Sequence, residues 1–175
     1  MRTMLPQTPS QTVGPYFAYG LTSEQYLYDF PSWVGPHLAS PLSSEAIPLT
    51  GRVLDGLGMP IPDAMVEIWD ANTQTLGRCG TGTSPDSSFQ FTIQKPSDPT
   101  AKVPYFTVII FMRGLLLHTY TRMYFADEMA QNHQDPAWQL YPEARKHTLL
   151  AQPEGRGYRF DIVMQGPNET IFLAI

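Results

Sequence analysis

Ser88-Phe89-Gln90-Phe91-Thr92-Ile93-Gln94 alternates apolar and polar side chains at every step, so Phe89, Phe91 and Ile93 share one face while Gln90, Thr92 and Gln94 share the other. That period of two belongs to an extended strand with one face on a core. Working outward, residues 49–54 read as a strand ended by the turn Asp55-Gly56-Leu57-Gly58-Met59-Pro60. In 64–70, Ala64, Val66 and Ile68 fall on one face. Residues 105–112 form a continuous apolar run, which predicts a strand covered on both faces. After the break at Arg113-Gly114, residues 118–125 alternate again, and 158–165 with 170–175 are expected to pair as a hairpin across Gly166-Pro167-Asn168. Gly77 to Gly82 reads as a turn. Only 127–150 has helix-like composition, and Pro136 and Pro142 cut it into pieces of a turn or two. Seven or so short strands without a long helix predict an all-β chain, an antiparallel β-sandwich with short helical turns.

Ahead of this core the pattern changes. Pro6, Pro9, Pro15, Pro31, Pro36, Pro41 and Pro48 recur among Ser, Thr and Gly with no period. Yet Tyr16, Phe17, Tyr19, Tyr26, Tyr28, Phe30 and Trp33 make the segment too aromatic for a disordered tail. Residues 1–48 are therefore expected to be an extended arm lying on its own core or on another chain, and 49–175 the core domain. The whole-chain numbers agree with one covered domain. Charged residues make up 15% of the 175 positions, below the roughly 25% of an ordinary soluble domain, which a buried partner interface would explain. A formal net charge of -5 argues against a nucleic-acid ligand. The longest apolar stretch, around Val108 to Phe111, is far shorter than a membrane span. With no hydrophobic signal region after Met1 and a lone Cys79, the expected location is the cytoplasm.

The search for chemistry by motif finds no complete active site. His37, His118, His133 and His147 are scattered without metal-pair spacing, and no Gly-x-Ser-x-Gly elbow occurs. Arg113 stands out because it ends the most apolar strand and precedes Gly114. A planar fork of donors there suits a carboxylate or another anion; an ion pair with a local Asp or Glu is the commoner use. Arg122, in Thr121-Arg122-Met123-Tyr124, reads as an interface or core ion-pair residue.

Several stretches together resemble the intradiol ring-cleaving dioxygenases. Thr8-Pro9-Ser10-Gln11-Thr12-Val13-Gly14-Pro15-Tyr16-Phe17 is similar to their N-terminal signature, and Gly51-Arg52-Val53-Leu54-Asp55 with Pro62-Asp63-Ala64-Met65-Val66-Glu67-Ile68-Trp69-Asp70-Ala71 to their first core hairpin. Phe111-Met112-Arg113-Gly114-Leu115, Thr121-Arg122-Met123-Tyr124-Phe125 and Tyr158-Arg159-Phe160-Asp161-Ile162 continue the likeness in collinear order. The resemblance implies the family's β-sandwich, and it is strongest to the catalytically silent α chain of its two-chain members.

Catalytic chains of the family hold a non-haem iron(III) with two Tyr and two His, and oxygen inserts between the hydroxyl-bearing carbons of a catechol. Carried over residue by residue, the His-x-His positions hold Tyr105-Phe106-Thr107; the first tyrosine falls at Cys79 after Gly77-Arg78; the second falls just past Lys95-Pro96, in Ser97-Asp98-Pro99. All four ligand positions lack the ligand, so the chain is expected to bind no metal and to carry no catalytic residue itself. By the same resemblance, a homologous β chain would hold the iron, and Thr12, Gly14, Pro15, Tyr16 and Arg113 would line the pocket for a small aromatic acid that reacts there with O2. The expected state is then an α/β hetero-oligomer. Two other readings stand beside it: a non-enzymatic β-sandwich interaction module, and a rearranged metal site recruiting Tyr105, His118 and Tyr120.

Overall fold

In the computed structural model, residues 16–96 and 103–174 are described, with side chains from residue 19 onward. The described part of the arm carries helix α1 (Tyr16–Leu21) and a 3-10 turn at Glu24–Tyr26. Nine strands follow: β1 (Ile47–Leu54), β2 (Met65–Asp70), β3 (Thr75–Gly80), β4 (Ser88–Ile93), β5 (Tyr105–Phe111), β6 (Thr119–Phe125), β7 (Leu150–Glu154), β8 (Gly157–Arg159) and β9 (Ile162–Val163). Between β6 and β7 lie the short helices α2 (Met129–Asn132) and α3 (Pro136–Leu140), flanked by 3-10 turns. Asp135 caps α3, accepting from the Ala137 backbone N–H with Pro136 in its first turn.

The strands run in the order β3-β2-β5-β6-β7-β8-β1-β4, with β9 beside β1. The two ends of this order meet, because Gly77 on β3 has no side chain and its space is filled by Leu38 of the arm and Phe91 of β4. The result is a nearly closed, mostly β structure around one core that includes Leu49, Val53, Val66, Phe91, Phe106 and Ile110. A second cluster, Tyr124, Trp138, Leu149 and Ile171 among it, packs under the helical crossover.

The all-β expectation holds, and five of the strands lie where the alternation put them. The exceptions have physical causes. Three pairings are parallel: β6 with β7, β1 with β8, and β1 with β9. The first follows from the helical crossover, which returns the chain to start β7 alongside β6. Strand β5 is buried on one face only, its pattern alternating through Phe106, Val108 and Ile110; the half-buried outer positions are covered by single side chains such as Arg122 over Tyr105 and His118 against Phe111. Of the expected Gly77–Gly82 turn, 77–80 are instead the end of β3, where glycines admit neighbouring side chains, and the chain turns only from Thr81 and Gly82 onward. The final hairpin does not form. Asp161 interrupts the segment by accepting from the Arg52 backbone N–H at 3.0 Å, which replaces a ladder rung. Thr170 pairs once with Val163 before Leu173 bridges to Tyr120 on another strand.

Candidate functional site

Of the residues expected to line a pocket, Arg113 is fully described. Thr12, Gly14 and Pro15 lie outside the described residues, and Tyr16 is described by its backbone alone, as the first residue of α1. Arg113 follows β5 in a loop that turns at Gly114, whose φ of 88° favours glycine. The register Met65↔Phe111 sets this loop beside the entrance to β2, and there the Arg113 Nε donates to Asp63 Oδ2. The two partners differ sharply in environment: the Arg113 side chain is 62% exposed and that of Asp63 8%. No described residue bonds the terminal Nη nitrogens, so the fork's outer donors face solvent. The β5–β6 loop that carries Arg113 also exposes Leu116 and Leu117, and the β1–β2 loop that carries Asp63 exposes Leu57 and Met59. The residue-level reading of Arg113 as a local ion-pair partner is thus realised without consuming its anion-binding face.

The arm reaches the same end of the molecule. Gln25 bonds both the carbonyl of Gly80 (2.6 Å) and its N–H (2.8 Å). The Tyr26 hydroxyl sits where a Gly82 side chain would be. Burial raises the Tyr26 pKa, and the neighbouring Asp63 carboxylate adds to the rise. Tyr19 of α1 meets the Tyr26 ring edge-on at 4.5 Å between centroids. Tyr16 is one helical turn before Tyr19, about 4.5 Å along the axis. The arm is thus anchored at Gly80 and Gly82, near the Pro62 carbonyl, one residue before Asp63.

The metal-ligand positions lie elsewhere. Tyr105 and Thr107 share the outer face of β5, and Arg122 stands directly opposite Thr107 in the β5–β6 ladder. Its guanidinium lies over the Tyr105 ring, 4.3 Å from the centroid. Arg122 Nη1 donates to Asp135 Oδ2 at 2.7 Å, and Tyr124 Oη donates to the same oxygen at 2.7 Å. Burial opposes the charge on Arg122, but Tyr124, Tyr105 and Asp135 more than offset it; burial also pushes the Tyr124 phenol up. A protonated guanidinium offers no lone pair, so the residues present do not fit an iron ligand set. Among the described residues no group of three or more His, Cys, Asp or Glu is placed to hold a metal ion.

Cys79 is not beside this place. It pairs with Val66, whose other neighbour is Ile110, so it lies five residues along from Tyr105, about 16 Å at strand rise. The β2–β3 turn residues Ala71 and Asn72 border the cleft of ≈ 210 Å³ that Tyr105 lines, and the turn, rather than Cys79, is the segment next to the histidine positions. Ser97, Asp98 and Pro99 lie outside the described residues. Tyr105, His118 and Tyr120 do not converge either: Tyr105 opposes Tyr124 and Tyr120 opposes Ile109. His118 and Tyr120 bond each other at 2.5 Å.

The fold is that of the intradiol dioxygenases: it is similar to the dioxygenase domain of a carbohydrate-binding fusion from Streptomyces sp. SirexAA-E (TM-score 0.57, 20% identity, 92% of this chain and 99% of that one). It is also similar to an intradiol ring-cleavage dioxygenase from Tetranychus urticae (TM-score 0.55, 12% identity, 74% and 84%). No family model matches the chain. The protocatechuate 3,4-dioxygenase alpha chain of Burkholderia cepacia is 40% identical over 99% of this chain and 100% of its own length. The beta chain from the same organism is 30% identical over 72% of this chain and 67% of its own. The chain belongs to the family of protocatechuate 3,4-dioxygenase α chains.

Sequence reasoning singled out Arg113 and Arg122 but passed over the groups that hold them. Asp63 was legible only as part of a Pro-Asp-Ala strand entrance, and Asp135 only as a residue before a proline. A carboxylate about to enter a buried strand is the signal that a cation must come to it.

Proposed function

We propose that this chain is the iron-free α subunit of an α/β dioxygenase that opens the ring of a catecholic acid such as protocatechuate with O2. A homologous β chain holds the non-haem iron(III) and carries the ring-cleaving chemistry in the cytoplasm. This chain contributes the pocket wall and the assembly surface. Arg113, with Thr12, Gly14, Pro15 and Tyr16 of the arm, faces the partner's pocket, and the guanidinium binds the carboxylate of the aromatic acid and offsets negative charge there. The arm, residues 1–48, embraces the partner, which gives the exposed Leu27, Tyr28, Phe30, Trp33 and Leu42 a surface to cover. The observation that carries the reading is Arg113 itself, held by one nitrogen on Asp63 while its side chain stays 62% exposed, in a loop that also exposes Leu116 and Leu117.

The test is co-expression with a homologous intradiol β chain, followed by metal analysis and oxygen uptake on protocatechuate. An iron-coloured complex is expected. A charge-assisted hydrogen bond contributes about 1.5–3 kcal/mol, so Arg113→Ala should lower kcat/KM on the order of 10- to 100-fold with iron content unchanged. A monomer that ignores the β chain would favour the interaction module, and unaltered kinetics would remove Arg113 from the pocket.

A further inference from the structure

We infer that Asp63 is a positioning residue for Arg113, fixing the direction of its outer donors before substrate arrives; the inference rests on the pocket role proposed for Arg113. Three observations carry it. The Asp63 side chain is 8% exposed, and its Oδ1 is buried with no partner among the described residues, so the Arg113 Nε on Oδ2 is the one donor this carboxylate has among them. Asp63 stands on a rigid base: the next residue, Ala64, exchanges hydrogen bonds with Thr81, its N–H donating to Oγ1 at 3.1 Å and its carbonyl accepting from the Thr81 N–H at 2.9 Å. Arg113, by contrast, sits in an exposed loop at a glycine turn, where an untethered side chain would sample many rotamers.

An arginine free in that loop would lose rotamer freedom on binding an anion. Holding Nε on a buried carboxylate removes part of that cost in advance and leaves the end-on pair of N–H groups, one from each Nη, free to donate in parallel. The device acts on binding, so its loss appears in KM. Its sign is diagnostic. If Asp63 merely neutralised Arg113, deleting its charge would strengthen anion binding and lower KM; if it positions the fork, the deletion raises KM.

The experiment uses the assembled α/β enzyme with protocatechuate as substrate and compares Asp63→Asn, Arg113→Ala and the double variant. Asp63→Asn should raise KM about three- to tenfold with kcat within about twofold, and should add nothing in the Arg113→Ala background, because its only route to substrate is gone. An unchanged or lowered KM in Asp63→Asn, or an effect that multiplies with Arg113→Ala, overturns the positioning role while leaving the pocket role intact. Unchanged KM in Arg113→Ala overturns both. If Asp63→Asn does not assemble, Arg113→Lys carries the test: it keeps the charge but lacks the Nε that Asp63 holds, and a wild-type KM would overturn the proposal.

Discussion

Arg122 faces Thr107 across the β5–β6 ladder and lies over Tyr105, at the two positions where ring-cleaving relatives are expected to carry metal-binding histidines. A carboxylate, Asp135, and a phenol, Tyr124, hold it there. The place is therefore occupied by a charge of the chain's own, satisfied by its own acceptors. Removing that charge leaves a buried carboxylate without a counter-charge, since the Asp135 side chain is only 9% exposed and keeps only the Tyr124 hydroxyl and the Ala137 N–H. Arg122→Ala should cost about 3 kcal/mol, read as a lowered denaturant midpoint, and Tyr105→His with Thr107→His should fail to bind iron while Arg122 remains. Iron binding by that double variant would show that the guanidinium does not block the place.

Gly82 marks the docking point of the arm. A methyl group there meets the Tyr26 hydroxyl and the Pro62 carbonyl, and the backbone oxygen cannot rotate away. Gly82→Ala should destabilise the chain by about 1–3 kcal/mol and loosen the Tyr19–Tyr26 contact, seen as faster proteolysis between residues 19 and 34. Unchanged proteolysis would mean that the arm is held by its other contacts, Gln25 on Gly80 and Leu38 at Gly77, without the Tyr26 seat.

The apolar stretch of the Arg113 loop is separable from folding. Leu116 and Leu117 are exposed in the chain by itself, so Leu116→Glu with Leu117→Glu should leave the melting temperature nearly unchanged. The same pair of charges should abolish co-purification with the β chain by placing them in a desolvated contact. Intact assembly would move the interface elsewhere.

A pH-dependent tie joins the end of β4 to β6 and β8. Lys95 Nζ bonds Asp127 (3.0 Å) and Glu128 (2.7 Å), Tyr158 Oη donates to Asp127, and Lys95 also lies 5.0 Å from the Phe125 ring centre. Burial opposes the charge on Lys95, yet its bonds to Glu128, Tyr158 and Asp127 raise its pKa. Burial likewise opposes ionisation of Asp127, yet Tyr158 and Lys95 hold it below the usual carboxylate range. A raised lysine contributes stability fully present below its unfolded value of about 10.4 and lost as pH climbs through the higher folded one; a lowered aspartate contributes stability present above about 3.9 and lost as pH falls through the lower folded one. Lys95→Met should therefore cost about 1–2 kcal/mol across the middle range. Chemical denaturation at several pH values should show the gap to wild type closing at both extremes; a constant gap would mean packing rather than charge.

How much of this was legible in the chain follows from which forces act locally. Strands with one face on the core write their period into the sequence, and Phe89, Phe91 and Ile93 are where the alternation puts them. Strand β3 does not, because Gly77 and Gly80 serve neighbours that come from elsewhere in the chain: Leu38, Phe91 and Tyr26. The final hairpin failed for a similar reason, since Asp161 answers to Arg52, distant in sequence. At the site, Arg113 could be picked out from its own neighbourhood, but its partner Asp63 is 50 residues away and meets it only through the register of β2 with β5. Cys79 misled because a Gly-Arg pair recurs in the pattern without saying how far along the strand it will lie.

The guanidinium over Tyr105 has one more consequence. A chain whose internal cation is covalently its own has a folding equilibrium with no mass-action dependence on a metal at that position. Folding of this chain can then run ahead of iron supply, yielding a finished scaffold that has no metal of its own to wait for at that position.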